Sequence, residues 1–461
     1  MKKYDAIIIG AGQSGMPMAK KISKKGLKVA LIEKRELGGT CINDGCSPTK
    51  TMEASSRVAH LVRRAADFGV DIQGFSINQK RIKERKENIV KLFRNGATKS
   101  LEKASHIDII MGKAVFEHTH QVTVRRQGQA DLQLKADRFF INTGSETWIP
   151  SIEGLKDTPY LNSTSIMELE ETPEHLIILG GGYIGLEFGQ MFRRFGSKVT
   201  IMDQAPRLVP KEDEDVCEEI SEIFKEEEIK TIFEAKTNKV EYKNRQFKLF
   251  FDGKSGPSTL SGTHLLVATG RKPSSGDMGL EQIGVKLTER GHIDVNEDYE
   301  SSIKGIFALG DVAGSPPFTH MAYNDAYIAF NRIYEGNKEI SKKDRLVPYC
   351  VFMDPQLARI GLNEQQAIDK GLSYKTGKFW MKHAGRALEK DETKGFFKVL
   401  VDPGSRQILG ATVLSLDGGE IMAVLQMAMV GKVPYDRIQY LPIAHPTLAE
   451  SLNNLMGQVE A

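Results

Sequence analysis

Short runs of apolar residues that end on glycine recur along the chain and predict buried strands followed by tight turns. "DAIIIGAG" and "HLIILGGG" are the clearest, and "FFINTG", "HLLVATG" and "KGIFALGD" repeat the form with Thr143-Gly144, Thr269-Gly270 and Gly310-Asp311 at their ends. After the first two comes a helix-like stretch and then a second apolar strand, "KVALIE" and "KVTIMD", each closing on an acid. Strand, turn, helix and strand in that order predict an α/β fold with parallel sheets. From Leu346 the texture changes. "VPYCVFMDPQLARIGL", "FKVLVDPGSRQILGATVLS" and the helix-like "GEIMAVLQMAMVGK" predict a sheet with helices, with Pro403 and Gly404 in a hairpin turn, and so a third domain of α+β type.

The two strand-turn-helix units carry matching glycines. Gly10, Gly12 and Gly15 form a GxGxxG, and Gly180, Gly182 and Gly185 form a second. Glu33 and Asp203 each stand 23 positions after the first glycine of their set. In such a loop the first glycine allows the turn, the second lets backbone approach a pyrophosphate, and the third lets helix pack on strand. The helix N-terminus presents free N–H groups to the phosphates, and the terminal acid accepts from a ribose hydroxyl. One GxGxxG alone is a weak signal; two in full context predict two dinucleotide sites. Hydride transfer between a nicotinamide and a flavin is the economical reason to hold both. Asp203 suits a free 2′-hydroxyl and repels a 2′-phosphate, which favours NADH, although Arg207 nearby offers a phosphate a cation. Pro17 falls just beyond the first helical turn, where it would cost a hydrogen bond.

"NQKRIKERKENIVKLFRNGATKSLEK" is strongly basic, but Ile82, Ile89, Leu92 and Phe93 recur at helical spacing. It reads as an amphipathic helix with Lys80, Arg81, Lys83, Arg85, Lys86, Lys91 and Arg94 on a solvated face. No aromatic residues alternate with the charges as a nucleic-acid stacking surface requires. The 461 residues carry a formal net charge of only +3, with both signs interspersed, so neither nucleic acid nor an anionic membrane is an expected partner. No apolar run approaches the length of a membrane span, and the start lacks a secretory leader pattern. The expected location is the cytoplasm.

In a reducing compartment, closely spaced cysteines are more often catalytic, redox-active or metal-binding than structural. Cys41 and Cys46 lie five positions apart in "LGGTCINDGCSPTKTM". An ideal helix would set their Cα atoms roughly 8.7 Å apart, whereas a disulfide needs about 4.4 to 6.8 Å. Either the helix is distorted there or the two never meet. Cys217, in an acidic run, and Cys350, in a predicted strand, have no expected role.

"GGTCINDGCSPTK" after the first GxGxxG, Glu187 in the second, "FALGD" and the terminal "HPTLAE" together resemble the FAD-dependent pyridine nucleotide-disulfide oxidoreductases, the family of dihydrolipoamide dehydrogenase, glutathione reductase and mercuric reductase. The likeness runs through essentially the whole chain. It implies two Rossmann-like domains and a C-terminal α+β dimerisation domain: an FAD-binding domain over 1–150 and 271–343, an NAD(P)-binding domain over 151–270, and the dimerisation domain over 344–461. It also implies a homodimer. Cys41 and Cys46 would be the redox disulfide in a distorted helix, with Gly45 and Pro48 permitting the distortion. Cys46 would be the flavin-proximal sulfur and Cys41 the thiol that exchanges with substrate. His445, oriented by Glu450 and supplied by the second subunit, would be the acid/base. Lys50 would lie by the flavin with Glu187 as its partner, Asp311 would bind the ribityl or phosphate region, and Glu33 the adenosine ribose. Thr143, Gly144, Gly310 and Gly270 join the cofactor-binding set, and no resident metal is expected.

The substrate is less sharply marked. Thr49, the stretch after Cys46 and "SPPFTHMAYNDAY" resemble the mercuric reductase branch. The chain nevertheless ends at Ala461 without a C-terminal cysteine pair, has no N-terminal CxxC, and keeps His445. A soft cation needs several thiolates in transit and no proton relay, whereas a disulfide substrate needs the reverse. A lipoyl or small-molecule disulfide is therefore the expected substrate, with reduction of mercuric or another metal ion as the alternative. A redox sensor without turnover is a third reading, which a nicotinamide site and an acid/base pair argue against.

Overall fold

The computed structural model describes residues 1–343 and 345–459. Two compact units emerge: Met1–Met52 with Arg81–Trp148 and Gly270–Arg345, and Glu53–Lys80 with Ile149–Thr269 and Leu346–Ala461.

In the first unit five parallel strands form one sheet in the order Ile306–Ala308, Phe139–Ile141, Ala6–Ile9, Val29–Glu33, Ile107–Met111. Successive side chains leave opposite faces. Ile7, Ile9, Ile32 and Phe139 enter one core with a four-stranded sheet in the order Lys2–Tyr4, Leu132–Ala136, Gln121–Arg125, Lys113–His118, through Phe116, Val122 and Leu134, while Ile8, Leu31 and Phe140 enter another with the helices Gly15–Ser23 and Thr319–Tyr334. Both faces are covered, so the strands read as unbroken apolar runs.

The second unit repeats the plan with four parallel strands in the order Lys230–Ile232, Lys198–Met202, His175–Leu179, His264–Val267. The helix Tyr183–Phe195 follows its glycine loop and buries Leu186, Phe188 and Phe192. The same unit holds a five-stranded antiparallel sheet, with Phe396–Val401 and Ile408–Ser415 joined through the turn at Pro403 and Gly404. The helices Gly418–Val430 and Ser451–Gly457 contribute Ile421, Leu425, Leu452 and Leu455 to its core. The fold is thus α/β with two Rossmann-like sheets and an α+β region.

Two local expectations change. The basic stretch is helical from Gln79 to Glu102, but Leu92 and Phe93 are 63% and 46% exposed, while Val90, Leu101 and even Lys86 are buried. The buried stripe is rotated from the one that spacing alone suggested, because the helix packs through Leu101 and Ala97 at its C-terminal end. Pro17 is the third residue of the helix Gly15–Ser23, inside the first turn, where an N–H has no required partner within the helix.

Candidate active site

The two glycine loops are built alike. Gly10 and Gly180 adopt φ +102° and +114°, and a Cβ on either would sit 2.4 Å from the carbonyl oxygen of Asn142 or of Ala268 on the neighbouring strand. A Cβ on Gly15 or Gly185 would lie 2.0 Å from the oxygen of Gly10 or Gly180. By contrast, a Cβ on Gly12 would make only an ordinary contact with the Gly39 Cα at 3.9 Å, and one on Gly182 would meet open space. The first pair makes the turn and the second the helix-strand contact that the spacing predicts.

The terminal acids are also duplicated in detail. Glu33 accepts from the N–H of Ala11 at 2.8 Å and of Arg35 at 2.9 Å. Asp203 accepts from Gly181 at 2.5 Å and from Ala205 at 2.8 Å. Each carboxylate is held at its glycine loop with lone pairs left for further donors. Arg207 reaches Glu214 at 3.2 Å, so its charge is already partly answered.

The cysteines straddle a break. A short helix, Gly39–Asn43, ends at Asp44, and a new helix, Cys46–Arg63, begins after Gly45. A Cβ on Gly45 would press on the Thr40 carbonyl oxygen at 3.0 Å, and Pro48 falls in the first turn of the new helix, where it breaks no ladder bond. The break brings Cys41 and Cys46 into hydrogen-bonding contact, which settles the question their spacing raised. The structure holds them as free thiols rather than in the bridged form. Gly39 carries the pair to the first loop: a Cβ there would lie 2.6 Å from the Gly12 Cα, and the Gly38 N–H donates to the Ala11 carbonyl at 3.0 Å.

The hydrogen bond with Cys46 raises the Cys41 pKa first, and burial raises it further, while the Thr319 hydroxyl and the Lys50 charge pull it down; the net direction is upward. Cys46 lies 3.2 Å from the Thr319 Oγ1. Arg271 is close enough for its charge to interact with Cys46, and it donates to Ser145 Oγ at 2.8 Å and to the Ser145 carbonyl at 2.6 Å. Ser145 in turn donates to Asp311 at 2.5 Å. Thr319, Arg271 and Ser145 were not singled out from sequence. The only early sign was a hydroxyl opening a helix after Pro316-Pro317, and an arginine directly after Gly270.

Gly144 and Gly310 take φ +70° and +73°, and Gly270 φ +136°. Asn142 Oδ1 and Thr143 Oγ1 are buried without a protein hydrogen-bond partner among the described residues, at the strand end that meets Gly10. Orphaned acceptors beside an open glycine cradle fit a polar ligand such as a dinucleotide. In the second unit Glu187 accepts the Phe352 N–H at 2.8 Å. His445 Nδ1 lies 2.8 Å from Glu450 Oε2, with the imidazole 75% exposed, so its Nε2 is open to a reacting partner. Thr447 fixes that turn, accepting from the Glu450 N–H at 3.2 Å and donating to the Ala444 carbonyl at 2.8 Å. No group of three or more His, Cys, Asp or Glu residues able to hold a metal occurs among the described residues.

Residues 4–326 match the family model for pyridine nucleotide-disulphide oxidoreductases, and residues 347–456 match the dimerisation domain of the same family. The chain belongs to this family. Such an oxidoreductase is FAD- and NAD(P)H-dependent, and the residues around both loops fit those nucleotides. The oxidoreductase is 35% identical over 463 residues to the probable pyridine nucleotide-disulfide oxidoreductase RclA of Escherichia coli, covering all of both chains. It is 31% identical to a mercuric reductase of Staphylococcus aureus, over 97% of this chain and 81% of the relative. A dihydrolipoyl dehydrogenase of Staphylococcus aureus is also 31% identical, with 97% and 94% covered. A solved Cu(II) complex of the HOCl-induced flavoprotein disulfide reductase RclA from Escherichia coli matches with a TM-score of 0.91 over the full length of both chains. No helix of the described residues is long and apolar enough to cross a membrane.

Proposed function

We propose that this flavoprotein passes electrons from NADH through FAD and the Cys41/Cys46 pair to a small-molecule or lipoyl disulfide. The observation that carries the reading is the helix break that brings the two sulfurs together beside the first glycine loop. The FAD-binding domain is assigned to 1–150 and 271–343, the NAD-binding domain to 151–270 and the dimerisation domain to 344–461. Gly10, Gly12, Gly15, Glu33, Lys50, Thr143, Gly144, Gly310 and Asp311 are assigned to FAD. Gly180, Gly182, Gly185, Asp203, Glu187 and Gly270 are assigned to the nicotinamide nucleotide or its passage to the flavin. The Asp203 carboxylate at the second loop supports NADH over NADPH.

FAD supplies the exchange of a hydride for an electron pair delivered to sulfur. The chain's own residues do the rest. Cys41 thiolate attacks one sulfur of the substrate, the substrate S–S bond breaks, and the leaving thiolate takes a proton from His445, which Glu450 orients. Cys46 thiolate then attacks Cys41, closing the Cys41–Cys46 bond and expelling the second thiolate. In this reading His445 comes from the second subunit of a homodimer. Val424, Met427, Val430, Tyr440 and Leu441 are exposed apolar side chains within the matched dimerisation domain and suit such an interface. The location that goes with this chemistry is the cytoplasm.

Metal-ion reduction is a second reading, supported by the Cu(II) complex of the relative and by the mercuric reductases. Anaerobic NADH oxidation by the FAD-loaded protein and by His445→Gln separates the two. Turnover with lipoamide or a small disulfide that collapses in His445→Gln supports disulfide reduction. Turnover with Cu²⁺ or Hg²⁺ alone, indifferent to His445, overturns it in favour of the metal.

A further inference from the structure

Asp325 lies inside the helix Thr319–Tyr334, on the buried stripe with Met321, Ile328 and Ala329. It is a carboxylate at a position that the helix otherwise gives to apolar residues, and it is 0% exposed. Burying a carboxylate is costly unless donors answer it. Its Oδ1 accepts the Tyr299 hydroxyl at 2.7 Å and the Arg345 guanidinium at 2.5 Å, and those two would suffice for a purely structural ion pair. The other oxygen, Oδ2, accepts the N–H of Gly310 at 2.8 Å, and Gly310 directly precedes Asp311.

Gly310 takes φ +73° and opens the short turn Gly310–Ala313. A Cβ there would lie 3.2 Å from the Ala322 Cβ and 3.7 Å from the Ser14 Oγ, so the turn stands between this helix and the first glycine loop. Asp311 itself accepts the Ser145 hydroxyl at 2.5 Å, and its carbonyl lies 3.0 Å from the His292 Nδ1. We propose that Asp325, anchored by Tyr299 and Arg345, is a positioning residue for the flavin: it holds the Gly310 N–H and so sets the Asp311 carboxylate before the ligand arrives, a role that rests on the assignment of Gly310 and Asp311 to FAD made above. Asp325 acts through the turn and does not touch the ligand, and a site set in advance binds more tightly because less ordering is left to binding. The role needs a full carboxylate. An amide has one acceptor oxygen; when the guanidinium takes it, two N–H groups face the N–H of Gly310.

The test follows FAD release from the FAD-loaded protein on dilution, by flavin fluorescence, together with hydrogen exchange of the Gly310 amide, by mass spectrometry with fragment resolution. Asp325→Asn should release FAD about 10- to 150-fold faster than the parent, the size of one hydrogen bond to a charged group, and its Gly310 amide should exchange faster. In an Asp311→Ala background the same substitution should add little, since the side chain being positioned is gone, whereas a general loss of stability would add in full. Parent-like exchange at Gly310 in Asp325→Asn overturns the inference. When Asp311→Ala by itself speeds release, equal acceleration by Asp325→Asn in both backgrounds overturns it too. When Asp311→Ala leaves release unchanged, the assignment of Asp311 to FAD falls instead, and faster exchange at Gly310 in Asp325→Asn still upholds the hold on the turn. If Asp325→Asn does not fold, Tyr299→Phe takes its place, keeping the ring and the charge and removing one anchor. The same pattern is then expected at about 2- to 10-fold, and parent-like release and exchange overturn the inference.

Discussion

Alanine at Gly12 adds one methyl group whose nearest protein neighbour, the Gly39 Cα, is 3.9 Å away, an ordinary van der Waals separation. The protein itself has room for it, and the φ at Gly12 is not in the left-handed region. Losing a glycine from the unfolded chain stabilises the folded one by about 0.4–1 kcal/mol where the conformation is compatible. The flavin-free Gly12→Ala protein should therefore unfold at the same temperature as the parent or slightly above. In the proposed assignment the FAD pyrophosphate comes against that same backbone, and an added methyl there overpacks the contact by about 1–3 kcal/mol, or ~5- to 150-fold in affinity.

Gly15→Ala is the control with the opposite pattern. Its Cβ would stand 2.0 Å from the Gly10 carbonyl oxygen, 1.0 Å short of the 3.0 Å that real Cβ atoms keep (3.0 − 2.0). The helix Gly15–Ser23 must then lift off the strand, so stability and FAD are lost together. The assay is the FAD-to-protein ratio after purification, the FAD dissociation constant by fluorescence, and thermal unfolding of the flavin-free proteins. A Gly12→Ala protein that binds FAD like the parent would refute the placement of the pyrophosphate over Gly12, and an unperturbed Gly15→Ala melting curve would refute the packing argument.

Three further outcomes follow from the site and its surroundings. Glu450→Gln, which keeps the shape but removes the charge beside His445 Nδ1, should lower anaerobic disulfide turnover by less than the ~10²–10⁴-fold expected for His445→Gln, with FAD content unchanged in both; equal losses would show that Glu450 does more than orient. Asp203→Ser should weaken the use of NADH and improve that of NADPH, measured as the ratio of kcat/KM values, because the carboxylate that repels a 2′-phosphate is gone; an unchanged ratio counts against the NADH assignment. Burial, then the Arg194 charge, pushes His60 down from 6.5 to about 4. A folded-state value below the unfolded one contributes stability that is present above the unfolded value and is lost as pH falls through about 4. His60→Gln should flatten the fall of melting temperature with pH in that window, and a parallel curve would show that His60 contributes nothing to acid sensitivity.

Much of this was legible because backbone geometry demands particular residues. Gly10 and Gly180 are required by their positive φ, Gly15 and Gly185 by a 2.0 Å approach, and Glu33 and Asp203 by two N–H groups each. Such needs repeat at fixed spacing, so two copies could be recognised in one chain. The break between Cys41 and Cys46 was foreshadowed by Gly45 and Pro48 in the same way. What sequence did not reveal is set by neighbours far along the chain. Thr319 meets Cys46 across 273 positions, and Arg271 reaches Ser145 across 126; neither belongs to a spacing pattern. The same holds in the second unit, where Arg194 donates to Asp354 at 2.5 Å and to Glu227 at 2.7 Å, and Glu212 receives the hydroxyls of Tyr183 and Tyr349, each at 2.6 Å. Burial opposes the charge on Asp354, but Arg194 and Arg57 outweigh it and hold its carboxyl below the usual range. The exposed Leu92 and Phe93 show the same limit from the other side: periodicity identifies a helix, and only its neighbours decide which stripe is covered.

In the proposed mechanism electrons from the nicotinamide reach the Cys41/Cys46 pair. The air-oxidised, FAD-loaded protein is mixed anaerobically with stoichiometric NADH, quenched with an alkylating reagent under denaturing conditions, and each cysteine is quantified by mass spectrometry. The account predicts that Cys41 and Cys46 are protected from alkylation before NADH and modified after it, while Cys217 and Cys350 are unchanged. If NADH is consumed and the reactivity of Cys41 and Cys46 does not change, the pair is not on the electron path and the account is wrong.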